Sequence, residues 1–461
     1  MKILHWIRKE WVLVILLLVL AVVSRFWLFG YPDRIVFDEL YFAKFVSHYF
    51  LHSYYFDIHP PLAKLIMAGV AQLTGADPNL TFGYNAINEA YPDGFYLLLR
   101  GIVSFFGSLL PLAVYALSRS LKFSVKVSFL AGLFVILDNA FLMQSRFILT
   151  DAFLLTFGTL GLACVIYAIR NTIYGIRYTL LVVGSLLLGA SYSVKWTGLL
   201  FLGLALLFVI LSVAKNLKLI LKSLIIILVS SFLVYFISMS IHLGQLTKTG
   251  PGDAFMSVEF QSTLLGNANM SPVAEAGPRP PSFVSKFIEL NSRMFSANAG
   301  ITAGHPYGSK WYTWPFMQRS VYYWYDRVDD SHEARIYLIG NPLIWWGGLL
   351  ALLFILFVKP GMRIWRRPGF DPTTFLFIAF IANLLPYIFI SRVAFLYHYL
   401  PSLVFLCIGL AYVLSKIRNW WIIGAIVLVI TATFIWLLPI SYGTPLIREQ
   451  FDSRMLLRSW E

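Results

Sequence analysis

Acids, histidines and cations are scarce along this chain, so the places where they occur bound the chemistry it can perform. Two adjacent carboxylates, Asp38 and Glu39, lie in FDELYFAKF (37–45), just beyond the first long apolar run. Asp57 and His59 precede a Pro-Pro pair in YYFDIHPPLAKL, and Arg100 sits in YLLLRGIVSFFG. Arg146 and Asp151 lie one to two helical turns apart in QSRFILTDAF, while Lys195 and Trp196 share SYSVKWTGL. Arg392 and His398 follow in SRVAFLYHYLPSL. Such carboxylates can accept a proton, and such cations can hold an anion. An unpaired charge costs roughly 2.5–3.5 kcal/mol at the centre of a membrane helix, so residues of this kind, grouped on one side, point to a shared polar cavity.

Each string also has an ordinary structural reading. Asp38 and Glu39 would stand at the start of a helix whose face carries Phe42, Phe45, Val46, Tyr49 and Phe50, where the dipole favours a carboxylate and an N-cap is expected. The Pro-Pro after His59 is a normal helix start. Arg146 with Asp151 reads as an ion pair, and Lys195 beside Trp196 as a snorkelling lysine next to an interfacial tryptophan. His398, inside a span, reads as a buried, hydrogen-bonded histidine. Arg100 resists such treatment, because an arginine about a turn inside a span needs an anion. Spacing alone leaves these alternatives standing.

The elements that must position these residues are membrane helices. With 59% hydrophobic and 13% charged residues in 461, the chain has too little polar surface for a soluble domain. Eleven apolar windows of about the 20 residues that a bilayer demands fall near 10–29, 95–118, 124–142, 146–169, 178–194, 197–214, 223–242, 340–358, 372–391, 393–414 and 419–440. The net charge of +14 collects in alternate connectors, in groups such as Lys2, Arg8 and Lys9, Lys215 with Lys218 and Lys222, and Lys359 with Arg363, Arg366 and Arg367. The intervening short connectors hold only Arg146, Lys195 and Arg392. By the positive-inside rule the N-terminus is cytoplasmic, the C-terminus external, and the segments 30–94 and 243–339 are external loops, the first carrying a helix that lies in the interface. Charge so distributed is a topology signal and excludes nucleic acid as a partner. The first apolar run lacks a small-residue cleavage site and reads as an uncleaved anchor. Cys164 and Cys407 fall within spans, so no disulfide framework is expected. AEAGPRPPS (274–282) is the one flexible stretch, and Asn79 and Asn269 begin outer-side sequons.

Taken in order, FDELYFAKF, YYFDIHPPLAKL, SRFILTDAFLLTF, SVKWTGL, GPGDAFMSVEFQSTLLGN, SKWYTWPFMQRSVYY, IYLIGNPLIWW, FLYHYLPSL and RMLLRSW resemble the protein O-mannosyltransferase family. The resemblance runs from about residue 20 to the C-terminus. It implies an all-α membrane fold of the C-type glycosyltransferases, a single domain over 1–461 with eleven transmembrane helices. It also implies transfer of mannose from a polyprenyl-phosphate-mannose donor to Ser or Thr hydroxyls of exported, unfolded chains. The reaction would run on the extracytoplasmic side of the membrane (the plasma membrane in a prokaryote), and association with translocation machinery would fit it. Carried over by motif, Asp38 corresponds to the catalytic acid and Glu39 to its essential neighbour. Asp57, His59, Arg100, Arg146, Asp151, Lys195 and Trp196 match substrate-site strings; Gly252, Asp253, Gln261, Asn341, Arg392 and His398 sit in matching strings as well. The loop 243–339 has no room for the β-trefoil MIR domain of eukaryotic members, so a compact, prokaryotic-type member is expected.

That chemistry suits these residue types. A sugar phosphate carries its own leaving group, so a base for the incoming hydroxyl and cations for the developing phosphate charge suffice, in one inverting displacement. Asp38 is the expected base, with Glu39 positioning the base or acceptor and Arg100, Arg146 and Lys195 serving the phosphate or orienting the acids. No metal or cofactor is expected, since the acids and histidines lack tight ligand spacing. The alternatives are transfer of another polyprenyl-phosphate-linked sugar to a lipid or glycan, or a lipid-sugar transporter or flippase. The one-sided polar set and the absence of inverted-repeat symmetry count against transport.

Overall fold

The computed structural model describes residues 2–77, 85–171, 173–213, 216–269, 281–301, 303–358 and 371–461. Lys215, the basic connector that begins at Lys359, the Asn79 sequon, Met270 and Ser271 of the second sequon, most of the Pro/Gly-rich stretch and the side chains of Lys2, Arg8 and Lys9 lie outside the described residues. The chain begins with α1 (Lys2–Phe26), α2 (Glu39–Leu51), α3 (Leu62–Leu73), α4 (Phe95–Ser120), α5 (Val125–Ile136), α6 (Asn139–Gln144), α7 (Asp151–Arg170), α8 (Tyr174–Val194), α9 (Leu199–Ser212) and α10 (Leu217–Gln245). Then come α11 (Val258–Gln261), α12 (Phe283–Ala299), β1 (Val321–Arg327), β2 (His332–Leu338), α13 (Pro342–Val358), α14 (Pro372–Leu384), α15 (Leu400–Leu414), α16 (Trp420–Tyr442), β3 (Leu446–Ile447) and α17 (Arg448–Arg454).

The molecule is mostly helical, and each apolar window carries helix. Among the described residues, seven helices are long and apolar enough to cross a membrane, the longest being Leu217–Gln245. Two windows differ in detail from their expectation. The window 124–142 is divided into α5 and α6, because Asp138 turns its side chain onto the backbone N–H groups of Ala140 and Phe141, both at 3.1 Å, and starts a new helix. The same carboxylate accepts from Asn341 N at 2.9 Å and Trp345 Nε1 at 2.8 Å, which fixes α13 against α6. The window 146–169 becomes helix only at Asp151.

The expectation of an all-α chain is corrected by a three-stranded antiparallel sheet in the order β1-β2-β3. Its first strand, VYYWYDR, is aromatic and β-branched, which suits a pleated, half-buried surface. The reversal follows at Asp329, whose Oδ1 accepts from the N–H groups of Ser331 and His332, both at 2.8 Å. β3 brings the segment after α16 to this sheet, and Phe37 N donates to Tyr323 O of β1 at 3.1 Å. The segment after α1, the 243–339 loop and the C-terminal segment therefore meet at one end of the bundle. The apolar face of α2 is covered by protein: Phe42, Val46, Tyr49 and Phe50 are all buried.

Between α7 and α8 the helices approach through paired small residues. A Cβ on Gly161 would stand 2.9 Å from Gly184 O and 2.9 Å from Leu188 N, so only glycine permits this separation. Because backbone is what it would meet, Gly161→Val should force the helices apart. A destabilisation of about 1–3 kcal/mol is expected, read as a lower thermal-unfolding midpoint in detergent than that of a substitution at Gly203, whose surroundings are open.

Candidate active site

Asp38 occupies the N-cap position of α2, yet its side chain caps nothing. The preceding residue, Phe37, has φ of +50°, an uncommon conformation for a non-glycine residue. Its ring stacks on Tyr323 at 4.1 Å between centroids, so the sheet holds this strained turn. Among the described residues the Asp38 carboxylate has no hydrogen-bond partner. Burial pushes its pKa up to about 6; Lys195 opposes that rise, and Asp151 and Asp57 add to it.

Glu39, one residue on, is wholly buried and saturated. It accepts from Arg100 Nε at 2.8 Å and Nη2 at 2.7 Å, from Val36 N at 3.0 Å and from Ile148 N at 2.8 Å. Arg100 spends its other donors on the carbonyls of Gly30, Pro32 and Arg34. Arg146 donates to the carbonyls of Arg25, Trp27 and Leu28, at and just past the end of α1, and lies 4.1 Å over the Tyr442 ring. A cation there satisfies helix-terminal carbonyls and complements the dipole. Glu39 and Arg100 thus work on one another and on main chain, and Arg146 on main chain.

Two further ion pairs converge nearby. Lys195 Nζ, at the end of α8, donates to Asp151 Oδ2 at 2.7 Å, at the start of α7. Lys64 on α3 pairs with Asp57 and donates to His59 O at 3.0 Å, while His59 N donates to Asp57 Oδ1 at 3.2 Å. Burial and the surrounding cations Lys195, Lys64 and Arg392 hold His59 well below its ordinary pKa, so it is neutral at physiological pH.

His59, Lys195, Trp196, Arg392 and His398 line one cavity of about 430 Å³, together with Tyr387, Asn298 and Ser391. Its apolar wall includes Leu199, Phe295, Phe389 and Ile390, all exposed. Trp196 Nε1 is engaged by Tyr235 OH at 3.2 Å, and His398 stacks between Trp314 and Tyr397. Asp38 is outside this lining but close enough for Lys195 to be the strongest charge acting on it. Of the acids and cations grouped here, Lys195 is matched by Asp151 and Lys64 by Asp57. Arg392 has no ion-pair or hydrogen-bond partner among the described residues, so one cation and one carboxylate, Arg392 and Asp38, are left uncommitted. Sequence reasoning missed Lys64, although a lone lysine in the apolar run LAKLIMAGVAQL was a usable signal. It also missed Asn298, for which polar α12 gave none.

The fold is shared with solved structures. The S. cerevisiae protein O-mannosyltransferase Pmt1-Pmt2 complex bound to the sugar donor superposes with a TM-score of 0.83 at 21% identity, covering 98% of this chain and 93% of that one. ArnT from Cupriavidus metallidurans bound to undecaprenyl phosphate gives 0.56 at 15% identity, covering 94% and 70%. Residues 15–248 match the dolichyl-phosphate-mannose-protein mannosyltransferase family model, and 283–460 match the C-terminal four-TMM region of protein-O-mannosyltransferase. The chain belongs to the protein O-mannosyltransferase family. It is 36% identical to Protein O-mannosyltransferase 1 of Drosophila melanogaster over 72% of its length, and 31% identical to dolichyl-phosphate-mannose–protein mannosyltransferase 1 of Saccharomyces cerevisiae, also over 72%. Those matches span only 37% and 41% of the two relatives.

Because Glu39 neutralises a buried guanidinium, Glu39→Gln should leave Arg100 charged and unpaired. A loss of about 3–5 kcal/mol is expected. Thermal unfolding in detergent should show a much larger drop for this variant than for Asp38→Asn, which breaks no hydrogen bond.

Proposed function

We propose that this protein transfers mannose from a polyprenyl-phosphate-mannose donor to Ser and Thr hydroxyls of exported polypeptides, with inversion, at the external face of a cell membrane. The observation that carries the reading is the uncommitted pair, Asp38 and Arg392, in a member of this family. Asp38 acts as general base and takes the proton of the acceptor hydroxyl. The hydroxyl oxygen attacks the anomeric carbon, the bond from that carbon to the phosphate oxygen breaks, and polyprenyl phosphate leaves with the electron pair. Arg392 and Lys195 hold the phosphate as its charge grows. Lys195 is tethered by Asp151, which aims it and tempers its charge.

Glu39, Arg100 and Arg146 position rather than react, fixing the turn that carries Asp38. Asp57 and Lys64 hold the loop that presents His59, and His59, His398 and Trp196 wall the cavity. The exposed apolar residues Leu199, Phe389 and Ile390 at its edge suit a polyprenyl tail lying among the helix ends. In this arrangement eleven helices cross the bilayer, the N-terminus is cytoplasmic, and the sheet, the first loop and the C-terminal segment are external, in keeping with the alternation of basic connectors.

The test is mannose transfer from polyprenyl-phosphate-mannose to a Ser/Thr-rich peptide. Asp38→Asn should lose about 10²–10⁴-fold in kcat. Equal transfer by the variant would remove Asp38 as base, and wild-type transfer to a lipid but to no peptide would replace the acceptor class. Since the base must be deprotonated and its pKa is raised to about 6, wild-type kcat/KM should fall as pH drops through about 6 and level off above it. Arg392→Ala should raise the donor KM by about tenfold or more, with a parallel weakening of inhibition by polyprenyl phosphate.

A further inference from the structure

The cations of the cavity account for a phosphate, but a sugar presents hydroxyl groups that need acceptors as well as donors. Lys195 and Arg392 can only donate, and Trp196 Nε1 is already committed to Tyr235. Asn298, near the C-terminal end of α12, lines the same cavity and is differently placed. Its Nδ2 donates to Ile58 O at 2.8 Å and to Met294 O at 2.9 Å. Both partners are carbonyl oxygens, which accept only, so the orientation of the amide is set by chemistry: the nitrogen must face them and the oxygen must face away. Asn298 Oδ1 is then a fixed acceptor with no partner among the described residues, on a half-buried side chain at the cavity wall. The bond to Ile58 O also ties it to the loop that presents His59, the next residue on.

We infer that Asn298 Oδ1 accepts a hydrogen bond from a hydroxyl of the transferred hexose and so helps select the donor sugar. This inference rests on reading the cavity as a polyprenyl-phosphate-sugar site. The hexose is bonded directly to the phosphate, so with Arg392 and Lys195 engaging that phosphate the sugar hydroxyls fall within the same enclosure. A preoriented acceptor discriminates strongly, because a donor lacking the matching hydroxyl leaves it unsatisfied.

The experiment measures kcat/KM for polyprenyl-phosphate-mannose and for its monodeoxy analogues with wild type and Asn298→Ala, together with inhibition by sugar-free polyprenyl phosphate. One deoxy donor should be about tenfold poorer than mannose with the wild type. Asn298→Ala should lose about the same factor with mannose and lose nothing further with that analogue, while inhibition by polyprenyl phosphate stays unchanged. If Asn298 merely fastens α12 to the 57–59 loop, the variant will lose equally with every donor and its inhibition by polyprenyl phosphate will weaken in step, which overturns the inference. Undiminished selectivity against every deoxy donor in the variant also overturns it. Should the wild type neither use any polyprenyl-phosphate sugar nor be inhibited by polyprenyl phosphate, the reading of the cavity falls and the inference falls with it; wild-type turnover thus distinguishes the two failures.

Discussion

The buried contact between Glu39 and Arg100 is the constraint on which the rest of the site depends. It joins three segments far apart in sequence: the loop after α1, whose carbonyls Arg100 grips; α4, which carries Arg100; and the turn before α7, whose Ile148 N–H reaches Glu39. Burying two charges is costly, and such a pair adds little net stability against a well-packed apolar alternative. What it provides is uniqueness, since each displaced donor would leave an unsatisfied charge in a low-dielectric interior. Arg146 performs the same service for the end of α1. The turn that bears Asp38 is thereby clamped from both sides, and the uncommon φ at Phe37 can persist.

Adjacent carboxylates are consequently given opposite environments. Glu39 receives four hydrogen bonds, two of them from the Arg100 guanidinium. Asp38 receives none among the described residues, although it stands where a side-chain cap would ordinarily contribute about 1 kcal/mol. Forgoing that cap keeps the carboxylate open, and its burial raises proton affinity toward the range in which a base is useful near neutral pH. Arg392 shows the same pattern among the cations, being left over where Lys195 and Lys64 are each neutralised by a partner.

The helices were legible because 20-residue apolar runs leave little else for a backbone to do, and the family was legible from the order of its strings. Pairing was not legible. Arg100 and Arg146 look alike in sequence, as charges stranded near hydrocarbon, and both invite a phosphate; only the fold places Glu39 beside one and the end of α1 beside the other. The division of the 124–142 run was hidden for a related reason, since Asp138 acquires its role from Asn341 and Trp345, about two hundred positions away. The sheet carried a visible local signal in SVYYWYDRVDDSHEARIYL, but its aromatic density blends into a chain rich in aromatics throughout. Asn298 gave no signal at all, because a polar residue on a polar helix becomes informative only when its amide nitrogen is seen to be spoken for.

On the proposed reading, Asp38 and the cations that hold the phosphate act on opposite sides of the reacting carbon. An inverting displacement needs the acceptor oxygen and the departing phosphate on opposite sides of the anomeric carbon. The base must therefore stand across that carbon from the cations that hold the phosphate. Arg392 and Lys195 belong to the wall that continues into exposed apolar residues, the side from which a lipid-borne donor can enter. Asp38 belongs to the turn stacked on the sheet, the side formed by the loops. Two substrates, one confined to the membrane and one coming from outside it, can then approach the same carbon without crossing, with Lys195 near enough to Asp38 to couple the proton's arrival to the charge that leaves.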